Sequence, residues 1–342
     1  MMGKSLLNFL PIYILVALTV FLFVFKDFII QVLLALIFAI VLSPPVDLLE
    51  KKRIPRFFGS VMVFSLVILS IVIIYLLIAH ILNFEVQKLM ISFPEYLKNF
   101  DEFFQNFLNN LQINPGHYIW LNLITQKLHE HVQEWLGNFL NLLGTSTFDL
   151  INKALSWLIF PILTLFFMKD LPVLTNGILK MCPKNKKVLI MGVGSCLTHG
   201  IRAYVKGQLI LSITIGILTG LGLFFLGIEY FFLLGVLAAI LEFIPYLGPI
   251  IAAIPALIIS IAISPIKAFA VLIFYIILHQ LEGVIIAPNI MSKSIDVPPS
   301  LVIIILTIAA SLGSIPGMLL AIPLTAISKL LYEYWQKNHH KP

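Results

Sequence analysis

The sequence predicts an all-α polytopic membrane protein with about eight transmembrane helices, broken or re-entrant helical hairpins in its carboxy-terminal half, and an extracytoplasmic amphipathic helical segment. Of its 342 residues, 60% are hydrophobic and 11% are charged, against roughly 45–50% and about 25% in soluble domains. Several apolar runs approach or exceed the length of about 20 residues that a helix needs to cross a hydrocarbon core. Both observations exclude a soluble protein and make the lipid bilayer the first partner of this chain.

Apolar runs and basic clusters divide the chain into six segments. The segments are the amino-terminal transmembrane helices (1–82), the extracytoplasmic segment (83–150), a transmembrane helix (151–168), a basic cytoplasmic segment (169–206), a carboxy-terminal core with broken helices (207–331) and a cytoplasmic tail (332–342). The last apolar run of the core contains Gly317 and Pro323, which leave open a helical hairpin in place of a single rod.

The placement of lysine and arginine predicts the orientation. Basic residues cluster in 51–56 and 169–206, whereas 83–150 contains more acidic than basic residues. Short cytoplasmic segments are enriched in lysine and arginine, so both clusters and both termini are expected in the cytoplasm. This topology accounts for the net charge of +6 without a nucleic-acid partner.

The extracytoplasmic segment has helical periodicity. Apolar residues recur at helical spacing in 100–111 and 121–143, on either side of a turn at Asn114-Pro115-Gly116. The pattern predicts a helical hairpin that lies on the membrane surface or against the chain's own spans. Packing against copies of itself in an oligomer is the alternative.

Enzyme and metal motifs are incomplete in this sequence. His129-Glu130-His131 lacks the second histidine of HExxH because the chain has Gln133 there. The sequence contains no GxxxxGK[ST] loop for nucleotide phosphates. It therefore predicts no enzymatic activity, no metal site and no cofactor.

Small residues recur every four positions at Ser212, Gly216 and Gly220. Such a ladder lets a neighbouring helix approach closely. Ordinary tight packing explains the pattern, and a role at a moving interface is the alternative.

The stretch LEFIPYLGPIIAAIPALIIS, residues 241–260, places Glu242 among apolar residues and follows it with Pro245, Gly248 and Pro249. A charged group at the bilayer centre costs about 2.5 kcal/mol or more, so it usually faces a cavity or a partner. Broken backbone at membrane depth is tolerated where it lines a cavity or is buried in protein. The stretch predicts a discontinuous helix with Glu242 at the break; an interfacial acid that caps a cytoplasmic turn is the alternative.

A second polar cluster, His279-Gln280-Leu281-Glu282, ends an apolar run and precedes a polar segment with Pro288 and Asn289. The cluster is either part of an ordinary cytoplasmic loop or part of a segment that folds inward beside Glu242. In the second case the polar residues of both stretches form one site.

Together these stretches resemble the autoinducer-2 exporter family of bacterial membrane proteins. The resemblance is carried, in order, by Arg202-x-Tyr204-x-x-Gly207-Gln208, by Glu242-x-Ile244-Pro245-Tyr246-Leu247-Gly248-Pro249, by Glu282 with Pro288 and Met291, and by Gly317-Met318-Leu319-Leu320-Ala321-Ile322-Pro323-Leu324. It covers the carboxy-terminal half by motif and the amino-terminal half by hydropathy. The chain departs from the family at Ala309, Ala310 and Ser314, where glycines are expected.

The resemblance implies a transporter of the bacterial cytoplasmic (inner) membrane that forms a homo-oligomer, with a pentamer as one candidate. Residues 207–331 are then the transport core. The implied activity is export of a small polar solute, such as an autoinducer-2-like signal, or antiport of Na⁺ or K⁺ for H⁺. A membrane scaffold that works through residues 83–150 is the alternative of another class, and the polar residues at membrane depth argue against it.

The leading hypothesis, a secondary transporter that exports a small solute, assigns roles to particular residues. Glu242 and Glu282 are expected to couple or gate transport, and Arg202 and Gln208 to form a polar contact at the cytoplasmic entrance. The predicted solute or ion pathway contains Glu242, Glu282, Gln208, Arg202, His279, Gln280 and Asn289. The predicted helix breaks and hinges are Pro245, Gly248, Pro249, Gly317 and Pro323.

Overall fold

The computed structural model describes residues 24–110, 127, 130, 131, 134, 158–184, 187–244, 247–291, 300–311, 316–321, 323 and 325. The regular elements within these ranges are helices, and no strand occurs in them. The all-α class that the sequence predicts is confirmed for this part of the chain.

The described helices are numbered in chain order. Their bounds are α1 Lys26–Lys51, α2 Arg56–Asn110, α3 Ile159–Met181, α4 Lys187–Phe225, α5 Phe231–Leu241, α6 Leu247–Ile263, α7 Pro265–Leu281, a π-helical turn Glu282–Ile286, α8 Ala287–Ile290 and α9 Ser300–Ser311. Within the described residues, five stretches are long and apolar enough to cross a membrane: Lys26–Lys51, Arg56–Phe100, Ile159–Met181, Lys187–Phe225 and Pro265–Ile290. The apolar helices α5, α6 and α9 are shorter. The eight crossings and the re-entrant hairpins therefore remain predictions.

The helices do not end at the boundaries that hydropathy indicates. Helix α2 continues past residue 82, and α4 continues past residue 206. Hydropathy marks the part of a helix that lies at membrane depth, whereas lysine and glutamate beyond that depth are good helix formers and prolong it. Much of the predicted basic segment 169–206 is consequently helical.

The described residues fall into two compact units. Unit 1 comprises those of Met1–Val67, Lys153–Val205 and Ile295–Pro342, and unit 2 comprises those of Ile68–Asn152 and Lys206–Ser294. Helices α2 and α4 contribute residues to both units.

In unit 1, an arginine of α4 satisfies a carbonyl that a proline of α1 leaves free. Pro44 lies inside α1 and lacks the N–H that would bond the Ile40 carbonyl four residues earlier. Arg202 Nε donates to that carbonyl oxygen at 2.9 Å, and its Nη2 donates to Ser43 Oγ at 2.8 Å. Ser43 Oγ itself donates to the Ile40 oxygen at 3.0 Å. The hydrogen bond that α1 loses at Pro44 is thus replaced by one from a side chain of α4.

The same arrangement recurs between α2 and α3. Pro172 lies inside α3 and leaves the Met168 carbonyl without its helical donor. Arg56 Nε donates to the Met168 oxygen at 3.0 Å, while its Nη1 lies 2.8 Å from Asp47 Oδ1 and 2.6 Å from Glu50 Oε2 of α1. Arg56 therefore joins α1, α2 and α3.

Unit 2 is built around a hairpin of α5 and α6 that packs against α7. Its core contains the buried Leu223, Leu234, Ile259 and Val271, and Phe93 of α2 belongs to the same cluster. Helix α7 begins at Pro265 because Ser264 accepts the Lys267 N–H through its Oγ, and proline fits the first turn of a helix.

The carboxy-terminal run reverses direction within unit 1. A Cβ added at Gly317 would overlap the Ala309 carbonyl oxygen. In one straight helix these residues would stand about 12 Å apart along the axis. The described parts of 300–325 therefore form a hairpin rather than one rod.

Candidate functional site

Glu242 lies in a tight turn between α5 and α6. After Leu241 the N–H groups of Phe243 and Ile244 donate to carbonyls three residues earlier, at 3.4 and 2.8 Å, which ends the α-helix. A Cβ at position 248 would overlap the Leu241 carbonyl oxygen, so this close approach requires Gly248. Glu242 is held in the turn with 3% of its surface exposed.

Two side chains of α4 complete the hydrogen bonds at the carboxyl end of α5. The last carbonyls of a helix have no partner within it. Gln208 Nε2 donates to the Glu242 carbonyl oxygen at 2.8 Å, and Ser212 Oγ donates to the Ala239 carbonyl oxygen. Gln208 and Ser212 lie one turn apart and are both buried. Together they fix the main chain that carries Glu242.

Glu242, Glu282 and His279 come together in unit 2. The π-helical turn and α8 pack against α4, and Met291 lies against Gly207, where a Cβ would be 3.3 Å from its Cγ. Glu282, the first residue of the π-helical turn, lies close to the Glu242 carboxyl group. Its Oε2 lies 3.0 Å from His279 Nδ1. We call these three residues the carboxyl cluster.

The carboxyl cluster has unmet hydrogen-bonding capacity. Glu242 Oε2 and His279 Nε2 are buried and have no hydrogen-bond partner among the described residues. An ionised carboxylate only accepts hydrogen bonds, so a bond between two carboxyl groups needs one proton. The cluster can therefore bind a proton, a cation or a hydroxyl-bearing solute, and its negative charge disfavours anions.

The other predicted pathway residues have different surroundings. Arg202 bonds Ile40 and Ser43 in unit 1, so its contact with Gln208 remains a prediction. Gln280 is exposed, as expected about 100° around the helix from His279. Asn289 is exposed as well.

The predicted breaks also differ in their surroundings. Pro245 lies outside the described residues. Pro249 stands in the first turn of α6, where a missing N–H costs no helical bond, so it starts a helix instead of breaking one. Gly317 forms the contact with Ala309 in unit 1, and Pro323 is buried.

The small-residue ladder of α4 faces α5. A Cβ at Gly216 would stand 2.6 Å from Ala239 Cβ and 2.9 Å from the Gly235 oxygen. At Gly220 the nearest atom, the Phe231 oxygen, is 3.4 Å away. The backbones of α4 and α5 are therefore closest at Gly216, one turn from Ser212.

Sequence reasoning missed Glu85, which holds the opposite end of α5. Glu85 Oε2 accepts the Leu233 N–H at 2.7 Å in the first turn of that helix, where a negative charge is favoured by the helix dipole. The two residues are 148 positions apart, and the acceptor serves a main-chain group. No local pattern in the sequence signals such a contact.

Comparison with known proteins shows the family of this chain. The model of the AI-2E family transporters matches residues 12–337. YueF of Bacillus subtilis is 28% identical over 321 residues, which cover 91% of this chain and 86% of YueF. YrrI of the same organism is 25% identical over 344 residues, covering 96% and 95%. The AI-2 transport protein TqsA of Escherichia coli is 25% identical over 311 residues, covering 90% and 86%. The family match over nearly the whole chain, together with its long apolar helices, shows that this chain is a multi-pass membrane protein of the AI-2E transporter family.

Proposed function

We propose that this chain is a secondary transporter that exports a small polar solute, and that the Glu242–Glu282 pair is where the solute or a coupling ion binds. The observation that carries the proposal is the burial of Glu242, 3% exposed, beside a second carboxyl group. Buried carboxyl groups in membrane proteins are expensive and mark solute or ion pathways. A scaffold has no use for such a pair, and membership of a transporter family opposes that alternative.

The length of α5 supports a re-entrant hairpin. Its 11 residues span about 16 Å, roughly half of a hydrocarbon core about 30 Å thick. A chain that turns back after that distance leaves main-chain carbonyls at membrane depth, which need donors from the protein. Gln208 and Ser212 supply two such donors. The hairpin would then present Glu242 within the membrane.

The carboxyl pair supports exchange of a proton for another ligand. When the two groups share a proton, the pair carries one negative charge. A cation or the hydroxyl groups of a solute can replace that proton between the same oxygens. Release of the ligand on the far side returns the proton to the pair. In this scheme Gln208 and Gly248 position the pair and need not touch the ligand.

The name of a relative indicates which solute to test first. Relative TqsA carries the name AI-2 transport protein, and a hydroxyl-rich signal of that kind offers the donors that the carboxyl cluster accepts. We therefore propose an autoinducer-2-like compound as the first solute to test. Exchange of Na⁺ or K⁺ for H⁺ at the same pair is the alternative.

Export of autoinducer-2 in everted membrane vesicles tests the proposal. Glu242→Gln should reduce uptake into these vesicles by about tenfold or more, because a hydrogen bond from the ligand to a charged group contributes about 1.5–3 kcal/mol. The matched control is Glu229→Gln, since Glu229 is an exposed glutamate of unit 2 paired with Lys88 at 2.9 Å. Full uptake by Glu242→Gln, or no uptake by the wild-type protein, would contradict the proposal.

The same vesicles distinguish the antiport alternative. A fluorescent reporter of internal pH should stay unchanged when Na⁺ or K⁺ is added to wild-type vesicles in the absence of solute. Alkalinisation that depends on the cation, and that Glu242→Gln abolishes, would favour antiport over solute export as the function.

A further inference from the structure

The turn between α1 and α2 contains three consecutive basic residues. Lys51 is the last residue of α1, and Lys52 and Arg53 follow it before α2 begins at Arg56. The side chains of residues 51–53 are all exposed. None of the three forms an ion pair with a residue in the part of the chain that the structure describes. Their charges are therefore available to a partner outside the described chain.

The acidic residues of the same region are already engaged. Arg56 Nη1 lies 2.8 Å from Asp47 Oδ1 and 2.6 Å from Glu50 Oε2. Residues 47–56 contain four basic and two acidic side chains, so the region carries a net charge of +2. Because both carboxylates contact Arg56, the excess positive charge lies on the exposed residues 51–53.

Arg53 stands at a position where glycine is the usual residue. Its N–H donates to the Glu50 carbonyl oxygen at 2.9 Å, and the Ile54 N–H donates to the Leu49 carbonyl oxygen at 3.2 Å. This is the Schellman pattern, in which the first residue beyond a helix takes the left-handed conformation that glycine adopts without strain. Arg53 takes it with a φ of 67°. A strained residue of this kind favours a function for its side chain.

Apolar side chains on both sides of the turn indicate that it lies at a membrane surface. Both α1 and α2 contain stretches long and apolar enough to cross a membrane. Leu48 before the turn, and Phe57 and Phe58 after it, are exposed. Exposed apolar surface next to a membrane span is suited to contact with lipid. Basic side chains between two such helices then lie at the level of the lipid headgroups, where they are attracted to anionic lipids.

We propose that Lys51, Lys52 and Arg53 bind the phosphate group of an anionic membrane lipid. The planar guanidinium of Arg53 offers two parallel N–H donors to one phosphate, and the two ammonium groups add positive charge without a fixed geometry. The acyl chains of the same lipid would contact the apolar side chains beside the turn, which a soluble phosphate compound would leave uncovered. The site does not involve the carboxyl cluster, so it is independent of the transport proposal.

Lipid binding to the full chain in a neutral detergent tests the site. Native mass spectrometry gives the affinity of the protein for dioleoyl-phosphatidylglycerol, which is anionic, and for dioleoyl-phosphatidylcholine, which is zwitterionic. Each lysine or arginine near an anionic membrane surface strengthens the attraction by about fivefold. With three such residues, we expect the wild-type protein to bind phosphatidylglycerol about tenfold or more tightly than phosphatidylcholine.

Arg53→Gly separates lipid binding from folding. Glycine adopts the φ of 67° at this position without strain, so the variant should melt at the wild-type temperature or above it. Its affinity for phosphatidylglycerol should fall by about fivefold, and Lys52→Gln should have the same effect on binding. The matched control is Lys98→Gln, because Lys98 is an exposed lysine that pairs with Glu102 at 3.7 Å. This control should bind phosphatidylglycerol like the wild type.

Three results would overturn the lipid site. The first is equal affinity of the wild type for the two lipids. The second is wild-type affinity for phosphatidylglycerol in Arg53→Gly or Lys52→Gln, or an equal loss in Lys98→Gln. The third is displacement of the bound lipid by an excess of inorganic phosphate at constant ionic strength, which would assign the three cations to a soluble phosphate compound.

Discussion

At the scale of single residues, unit 2 contains two sets of buried polar groups with different partners. Gln208, Ser212 and Glu85 each bond a main-chain group of α5, so they hold the helix that carries Glu242. In the carboxyl cluster, His279 bonds Glu282, while Glu242 Oε2 and His279 Nε2 retain unmet capacity. The second set has unmet capacity to bind a ligand, which is why we propose the carboxyl cluster as the place for transport chemistry.

Gly248→Ala tests the turn that holds Glu242. The new methyl group would overlap the Leu241 carbonyl oxygen, and overpacking of this kind costs about 1–3 kcal/mol or more. We expect a lower melting temperature in detergent and a lower yield of monodisperse protein. Gly283→Ala is the control, because a Cβ there meets nothing within 4 Å. Equal stability of both variants would show that the turn is not tightly packed.

At the scale of helices, prolines and arginines act together in unit 1. The Ile40 and Met168 carbonyls each lose a donor to a proline four residues later, and each accepts from an arginine Nε. An unsatisfied main-chain group in lipid costs several kcal/mol, so the arginine contributes to stability only while the proline is present.

This dependence predicts that Pro44→Ala suppresses the loss of stability caused by Arg202→Met. Arg202→Met alone should destabilise the protein by about 1 kcal/mol, the net contribution of one buried hydrogen bond, because Ser43 Oγ still donates to the Ile40 oxygen. Restoring an N–H at residue 44 should recover most of that loss, giving a coupling of about 1 kcal/mol in a double-mutant cycle. Melting temperatures of the four proteins in detergent measure it, and additive effects would contradict the assigned bond.

Close packing of α4 on α5 predicts unequal effects within the small-residue ladder. Gly216→Ala should destabilise the protein by about 1–3 kcal/mol, because the added carbon would lie 2.6 Å from Ala239 Cβ. Gly220→Ala, with its nearest atom at 3.4 Å, should stay close to the wild type. Melting temperatures of the two variants test this prediction. A larger loss of stability in Gly220→Ala would contradict the contact between α4 and α5.

At the scale of the whole molecule, the sequence predicted the all-α membrane class. It also predicted Glu242 as a candidate site residue, because a charged residue inside an apolar run can be recognised from the sequence alone. It left the inward fold of Glu282 and His279 as one of two alternatives. The sequence could not predict the hydrogen bonds from Arg202 and Gln208 to main-chain carbonyls, since every residue has such an acceptor and none leaves a pattern in the sequence. The sequence also could not predict that the chain alternates between two units. Each unit is held by contacts between residues far apart in the sequence, such as Arg56 and Met168, which are 112 positions apart.

The predicted orientation has its own test. Green fluorescent protein fused to either terminus should fluoresce, and alkaline phosphatase fused there should be inactive, because both termini are expected in the cytoplasm. A phosphatase fused within residues 111–126 should be active. Active phosphatase at either terminus would contradict the orientation.

The molar mass of the protein in solution tests whether the chain forms a homo-oligomer. Light scattering of the detergent-solubilised protein should give a homo-oligomer, with five copies as the leading candidate. A monomer that retains full transport would contradict the assembly without affecting the carboxyl cluster.

The central claim is that Glu242 and Glu282 act as one unit in transport. Autoinducer-2 exchange in proteoliposomes, compared for Glu242→Gln, Glu282→Gln and the double variant, tests it most directly. Groups that act as a unit give strongly non-additive losses. The account predicts that each single variant loses exchange by about tenfold or more, the cost of about 1.4 kcal/mol, and that the double variant loses little beyond the worse single one. Losses that multiply in the double variant, or exchange that survives in Glu242→Gln, would contradict the account.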